Sequence, residues 1–365
     1  MMRIKSIGFS TLSGICLIGL TACLESQAAP VFLSLTQNEF TIEVLSSELE
    51  TPWSVAELPS GDFLITERDG ALKRLSGGML TDIDGLPDDI YAESQAGLFD
   101  IVLGSDFAQN GTVYFSYARG KKSANGTTVV KAVLDNNSLK DKQHIFKAAP
   151  LKIGGGHFGG RLAVMENGDV IVTTGDGFRY REASQDTESD LGKVIRITEN
   201  GSEHISIGHR NVQGLIFDKE SGNLWAHEHG ARGGDELNLI KQSLNYGWPL
   251  VTKGVDYNGA KITPFTEMEG MEEPIHYWVP SIAPSGLTIY RGDMFKEWNG
   301  DALVGGLASG DVRRVDLENG KSIGETIILS DLGERVRDIR TASDGAILVL
   351  IDDPIEGKLL RVTPK

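Results

Sequence analysis

Asn167-Gly168-Asp169, followed by Val170-Ile171-Val172-Thr173-Thr174 and then by Gly192 to Ile197, sets the reading of the whole chain. A glycine-containing turn leads into a short Val/Ile/Thr run, and a second short run with a basic residue returns beside it. The same phrase is written elsewhere. Pro59-Ser60-Gly61-Asp62 precedes Phe63 to Thr66, with Gly70 to Leu75 as partner. Ser221-Gly222-Asn223 precedes Leu224 to Ala226, Ala302 to Val304 is answered by Gly310 to Val315, and Asp344-Gly345 precedes Ala346 to Ile351 with Lys358 to Val362. No segment carries a sustained helical period. Copies recurring every ~50–60 residues predict about six antiparallel units, an all-β, six-bladed β-propeller. The strand near Phe40 to Leu45 is expected to join the last blade and close the ring. A β-sandwich is the rival architecture.

Composition agrees with that reading. Glycine supplies 44 of 365 residues, without a triplet period, as many tight turns require. The formal net charge of -16 speaks against nucleic-acid binding, which needs a basic stripe. Arg3 and Lys5 followed by an apolar run from Ile7 to Leu20 read as an export signal too short to span a membrane. Leu20-Thr21-Ala22-Cys23 resembles a bacterial lipoprotein box, with cleavage after Ala28 or Ala29 as the other reading. The expected organisation is a signal over 1–22, a linker over 23–38 and one propeller over 39–365. The expected location is the periplasm, with Cys23 anchoring the chain to the outer membrane. Cys16 and Cys23 are the two cysteines, so the mature chain has no internal disulfide.

Three constellations carry chemistry. The first lies between Gly208 and Pro249: Gly208-His209-Arg210-Asn211, then Glu228 to Glu236 through Gly230-Ala231-Arg232-Gly233-Gly234-Asp235, then Asn245-Tyr246-Gly247-Trp248. Glycines expose carbonyls, and Asp235 and Glu236 beside them suit calcium, which takes oxygen ligands. A solvated loop of turns and salt bridges reads the same stretch equally well. The second is Gly154-Gly155-Gly156-His157-Phe158-Gly159-Gly160-Arg161. Flanking glycines uncover His157, and histidine is the natural general base near neutral pH. The third is Glu334-Arg335-Val336-Arg337-Asp338, whose arginines share one face of a strand and could clamp an anion. A salt-bridged surface strand is the alternative there. No zinc pattern, nucleophile elbow, phosphate loop or dinucleotide fingerprint stands in a supporting context.

Gln95-Ala96-Gly97-Leu98, His157 to Leu162, Gly208 to Asn211 with Gln213-Gly214-Leu215, and Glu228 to Asn238 together resemble the soluble quinoprotein glucose and sorbosone dehydrogenase family, especially its aldose sugar dehydrogenase branch. The resemblance runs from Thr51-Pro52-Trp53 to the C-terminus. It implies a six-bladed propeller holding pyrroloquinoline quinone (PQQ) and Ca2+ near its axis, and oxidation of aldose sugars to lactones. It implies that His157 takes the anomeric hydroxyl proton and that Arg210 stabilises charge at the reacting oxygen. It makes Gln95, Asn211, Tyr257 and Ser281, the run Gly306-Leu307-Ala308, and Arg335-Val336-Arg337 contacts to the quinone. Gly230 and Ala231 would hold the calcium against it by their carbonyls, and Glu236 and Tyr246 would form a second, structural calcium site. The electron acceptor would be a membrane quinone or a small cytochrome.

Several positions depart from that family. Ala231 replaces a proline but keeps its carbonyl. Ala308 stands where relatives often carry a lysine, so one charge-assisted contact to the quinone is missing. Val279 replaces a tryptophan of the glucose-specialised relatives, which implies a more open sugar pocket shaped by the loops 118–125 and 254–273. Two further functions fit the same fold: a calcium-dependent propeller hydrolase such as a lactonase, and a propeller that binds sugar or quinone without turnover.

Overall fold

The computed structural model describes residues 33–365. The expected signal, Cys23 and most of the expected linker lie outside those residues. The described chain forms six sheets, antiparallel except for a two-residue parallel edge pair on two of them. Blade one holds Pro52–Glu57, Phe63–Glu67, Ala71–Ser76 and Met79–Asp82, and blade two Leu98–Leu103, Thr112–Lys121, Ala124–Asp135 and Ser138–Lys147. Blades three, four, five and six begin with Gly159–Val164, Val212–Asp218, Pro284–Ile289 and Val336–Thr341. These six first strands pack each against the next, and the sixth against the first, so the sheets close into a six-bladed propeller.

Burial explains the sequence pattern. Val170–Thr174 and Ile347–Ile351 are buried along their whole length, because a middle strand is covered by the neighbouring blade on each face. Six apolar clusters fill the six inter-blade spaces. The space between blades six and one, for example, is filled by Val55, Ile65, Leu348 and Leu350. A seventh cluster, with Trp53, Phe99 and Phe158, lies beside the axis.

The ring closes as the N-terminal strand predicts. Phe40–Leu49 pairs antiparallel with Gly357–Pro364 and completes blade six with the chain's other end. Residues 33–38, expected as linker, are partly structured. Leu33–Ser34 pairs in parallel with Lys321–Ile328 at the outer edge of blade five. The repeat is not legible in blade two because its strands are long and its outer strand, Ser138–Lys147, is mostly exposed and polar. Residues 118–125, expected as a pocket loop, are instead the tip of a hairpin in which Ala118 pairs with Thr127 and Lys121 with Ala124.

Candidate active site

The loop after the third blade's second strand meets the loop before its first. His157 is buried, with φ at 48°, and its Nδ1 lies 2.7 Å from Asp176 Oδ1. Its own N–H donates to Gln95 Oε1 at 2.9 Å. The approach needs Gly175, where a Cβ would stand 2.4 Å from the His157 carbonyl oxygen. Asp176 also accepts from the Phe178 N–H at 2.7 Å and the Trp248 indole at 2.8 Å. Burial lowers the His157 pKa, and the Arg210 charge adds to this against the opposing Asp176 hydrogen bond, so the imidazole is neutral near pH 7. Burial alone would raise the Asp176 carboxyl, but the hydrogen bond and charge of His157, with Arg210, hold it below its usual range. With Nδ1–H donating to the carboxylate, Nε2 makes no protein hydrogen bond among the described residues and is left to accept a proton. The sequence reading missed Asp176, whose Gly175-Asp176-Gly177 setting looks like another turn of the repeat.

Arg210 is placed by blade four. Its N–H donates to Glu228 Oε2, and Glu228 Oε1 takes His209 Nδ1 at 2.8 Å. The guanidinium reaches the carbonyls of His229 (3.0 Å) and Gly230 and the Tyr257 hydroxyl (3.2 Å), and lies over the Trp248 ring. One lone pair of the Gly230 carbonyl is therefore already used by Arg210. Asp235 differs from the expectation of a calcium ligand. Its carboxylate is filled by the N–H groups of Gly230, Ile282 and Ala283 and by the Ser281 hydroxyl, so it braces the loop. Ser281 spends its proton in that bond (2.6 Å) and does not line the axial cavity, whereas Ala283 does.

That cavity, about 220 Å³, is walled by Gln95, Asn211, Gln213, His229, Leu307, Arg68, Arg335 and Arg337, with Trp53, Phe99 and Phe158 beneath. Asn211 Oδ1 accepts from the Gly159 N–H at 3.2 Å. Arg335 and Arg337 both reach Asp352 Oδ2, at 3.1 and 3.2 Å, and Arg335 also donates to the Leu307 carbonyl. Arg337 keeps a buried Nε–H without a partner, and burial pushes its pKa down to about 10. Val336 is buried in the core between blades five and six, paired with Ile351, and does not line that cavity. Gly306 and Leu307 are buried while Ala308 is exposed, and the N–H groups of Leu307 and Ala308 are tied to Ala283 and Ile282. An aromatic floor, its neighbouring rings tilted at 46° and 43°, lies below three arginines and an orphaned guanidinium N–H, which fits an aromatic polyanion in a chain that is otherwise acidic.

The expected second metal site lies where blade four's middle strands end. Glu228 and Glu236 face each other across the ladder. Burial, and then the Glu228 charge, push the Glu236 carboxyl up to about 8, and its one hydrogen bond comes from the Asn238 amide at 3.2 Å. Glu228 is engaged by His209 and the Arg210 N–H, so Glu236, with one hydrogen bond and the Lys253 charge as partial compensation, is the carboxylate left for a cation. The Tyr246 hydroxyl donates to the Leu239 carbonyl at 2.6 Å, and its ring stacks on His209. Among the described residues no three His, Cys, Asp or Glu side chains cluster as metal ligands, so a cation here relies on carbonyl oxygens as well.

Residues 49–361 match the model of the family described as glucose/sorbosone dehydrogenase. The chain belongs to that family. It is 37% identical over 348 residues to the aldose sugar dehydrogenase YliI of Escherichia coli, covering 89% of this chain and 93% of that protein. The apo-form crystal structure of the soluble aldose sugar dehydrogenase from Escherichia coli superposes with a TM-score of 0.84 at 36% identity, covering 89% of this chain and all of that one. The PQQ-bound aldose sugar dehydrogenase of Streptomyces coelicolor matches with a TM-score of 0.74 at 25% identity, over 89% of this chain and 98% of that one. The match to the glucose/sorbosone dehydrogenase family thus takes in strands of all six blades, including the His157, Arg210 and Arg335–Arg337 segments, and leaves out the closing strand Phe40–Leu49 but for its last residue.

Proposed function

We propose that this chain oxidises the anomeric carbon of aldose sugars to lactones, using PQQ and calcium and passing electrons to an acceptor other than NAD. The observation that carries the reading is a neutral, carboxylate-oriented histidine beside an arginine-lined, aromatic-floored cavity on the propeller axis. Arg335, Arg337 and Arg68 would hold the quinone's carboxylates, Asn211 and Gln95 its edge, and Trp53, Phe99 and Phe158 its face. When bound, the quinone supplies the two-electron acceptor for the hydride that leaves the sugar's C1. His157 takes the proton of the anomeric hydroxyl at Nε2, and Asp176 stabilises the imidazolium that results. Arg210 supplies positive charge where negative charge develops. The carbonyls of Gly230 and Ala231, and separately Glu236 with Tyr246, would hold calcium. We further place the mature protein in the periplasm as a lipoprotein anchored through Cys23, with a membrane quinone or small cytochrome as acceptor.

The test is reconstitution. Purified protein is titrated with PQQ in excess calcium, and dye reduction is followed with several aldoses for wild type and His157→Ala. Activity that saturates with PQQ, requires calcium and falls at least ~10²-fold in the variant supports the reading. Quinone-independent lactone hydrolysis would instead indicate the hydrolase. Tight quinone or sugar binding without turnover would indicate a binding propeller.

A further inference from the structure

Phe178 differs from the aromatic residues that floor the cavity. Trp53, Phe99 and Phe158 are buried among one another, whereas Phe178 is 48% exposed. Its backbone lies in the left-handed region, at φ 69°, which is costly for a bulky side chain. Neither burial nor backbone preference accounts for an aromatic residue here. Three constraints nonetheless hold it. Its N–H donates to Asp176 Oδ1, the oxygen that also holds His157 Nδ1. Gly177 before it is left-handed too, and the Arg179 N–H closes onto the Gly177 carbonyl at 2.8 Å. Gly156, next to His157, gives it room, since a Cβ there would lie 3.3 Å from the Phe178 Cβ. The ring therefore stands 5.0 Å from the imidazole and nearly perpendicular to it, at 85°. Strain maintained beside a reacting group points to use of the strained residue.

We propose that Phe178 is a specificity-determining residue. The exposed side of its ring forms an apolar wall on which the C–H face of a pyranose packs while the anomeric hydroxyl reaches His157. This inference rests on the sugar-oxidising reading above and adds to it the surface that orients the sugar. Ring and base hang from one carboxylate oxygen, so the wall is fixed relative to the proton acceptor. An aromatic face carries negative charge density and attracts weakly positive C–H groups, while it offers nothing to hydroxyls. The site thus favours aldoses whose ring hydroxyls lie equatorial and leave a continuous C–H face.

The experiment compares wild type with Phe178→Asn and Phe178→Tyr, each loaded with PQQ and calcium. Asparagine tolerates the left-handed backbone and removes the ring, while tyrosine keeps it. The readouts are KM and kcat for glucose, calorimetric glucose binding, and Tm. Phe178→Asn is expected to raise KM and weaken glucose binding about tenfold, with kcat within about threefold of wild type. Its Tm should be unchanged or higher, and Phe178→Tyr should restore KM. An unchanged KM in the asparagine variant of an active enzyme overturns the inference alone. A lower kcat with unchanged KM and a displaced pH profile also overturns it, assigning the ring to shielding the imidazole. A wild type that oxidises no aldose overturns both the inference and the reading beneath it.

Discussion

At the scale of the residue, the site depends on how His157 is held neutral and oriented. Activity that needs a neutral imidazole rises as pH climbs past the His157 pKa, which burial depresses and Asp176 partly restores. Replacing Asp176 by Asn removes the restoring interaction and the fixed tautomer together. The expected result is a fall in kcat of about 10²–10⁴-fold, with the acidic limb of kcat/KM displaced to lower pH. A pH–rate profile checks both. His157 was legible in sequence because glycines on both sides leave a polar ring uncovered. Asp176 was not, since its role exists only where the loop at 175–177 folds back on the base. Ala308 is exposed beside Arg335 and Leu307, so a lysine there has room. Ala308→Lys is expected to tighten PQQ binding about tenfold by adding a charge-assisted contact. Quenching of intrinsic fluorescence during a PQQ titration measures it.

At the scale of the element, the third and fourth blades supply most of the chemistry from the ends of their strands. Strand pairing brings Glu228 opposite Glu236, and the turn between them folds Gly230 under Asp235. Burial, and then the charge of the facing Glu228, push the Glu236 carboxyl up to about 8, and a bound cation would offset both. Calcium should therefore raise the Tm of wild type by about 5 °C. Glu236→Gln should show little of that gain, as differential scanning fluorimetry with calcium or chelator would reveal. By residue type alone Asp235 and Glu236 suit calcium equally, and the family resemblance singles out Glu236. The fold gives the physical reason, because Asp235 is saturated by four donors and Glu236 is not.

At the scale of the whole molecule, the first strands of all six blades meet in a polar ring. Ser54 donates to Asp100, and Asp100 accepts from the Leu162 N–H. Arg161 of blade three donates to Gln213 O of blade four and to Asp338 and Arg337 O of blade six, while Ser285 of blade five also donates to Arg337 O. Arg340 pairs with both Asp100 and Asp338. Arg161→Met would leave two fully buried carboxylates with one guanidinium between them. A loss of about 3–5 kcal/mol is expected, read as a lower urea midpoint. The second global constraint is closure by Phe40–Leu49. A chain starting at residue 50 leaves Gly357–Pro364 as an open edge, and size-exclusion chromatography should show association in place of a monomer peak.

The sequence by itself determined the propeller, its closure strand and the glycine-rich segments that carry His157, Arg210 and the paired arginines. These follow from local physics: turn residues, strand periodicity, and polar groups that no core strand would tolerate. The tertiary structure alone decided which groups meet. It joined Asp176 to His157, Arg210 to the Gly230 carbonyl, Ser281 to Asp235, and Arg335 with Arg337 to Asp352. Those pairs are 15 to 46 residues apart. Their geometry is set by how strands pair within a blade and how six sheets pack around one axis, and no local pattern encodes it.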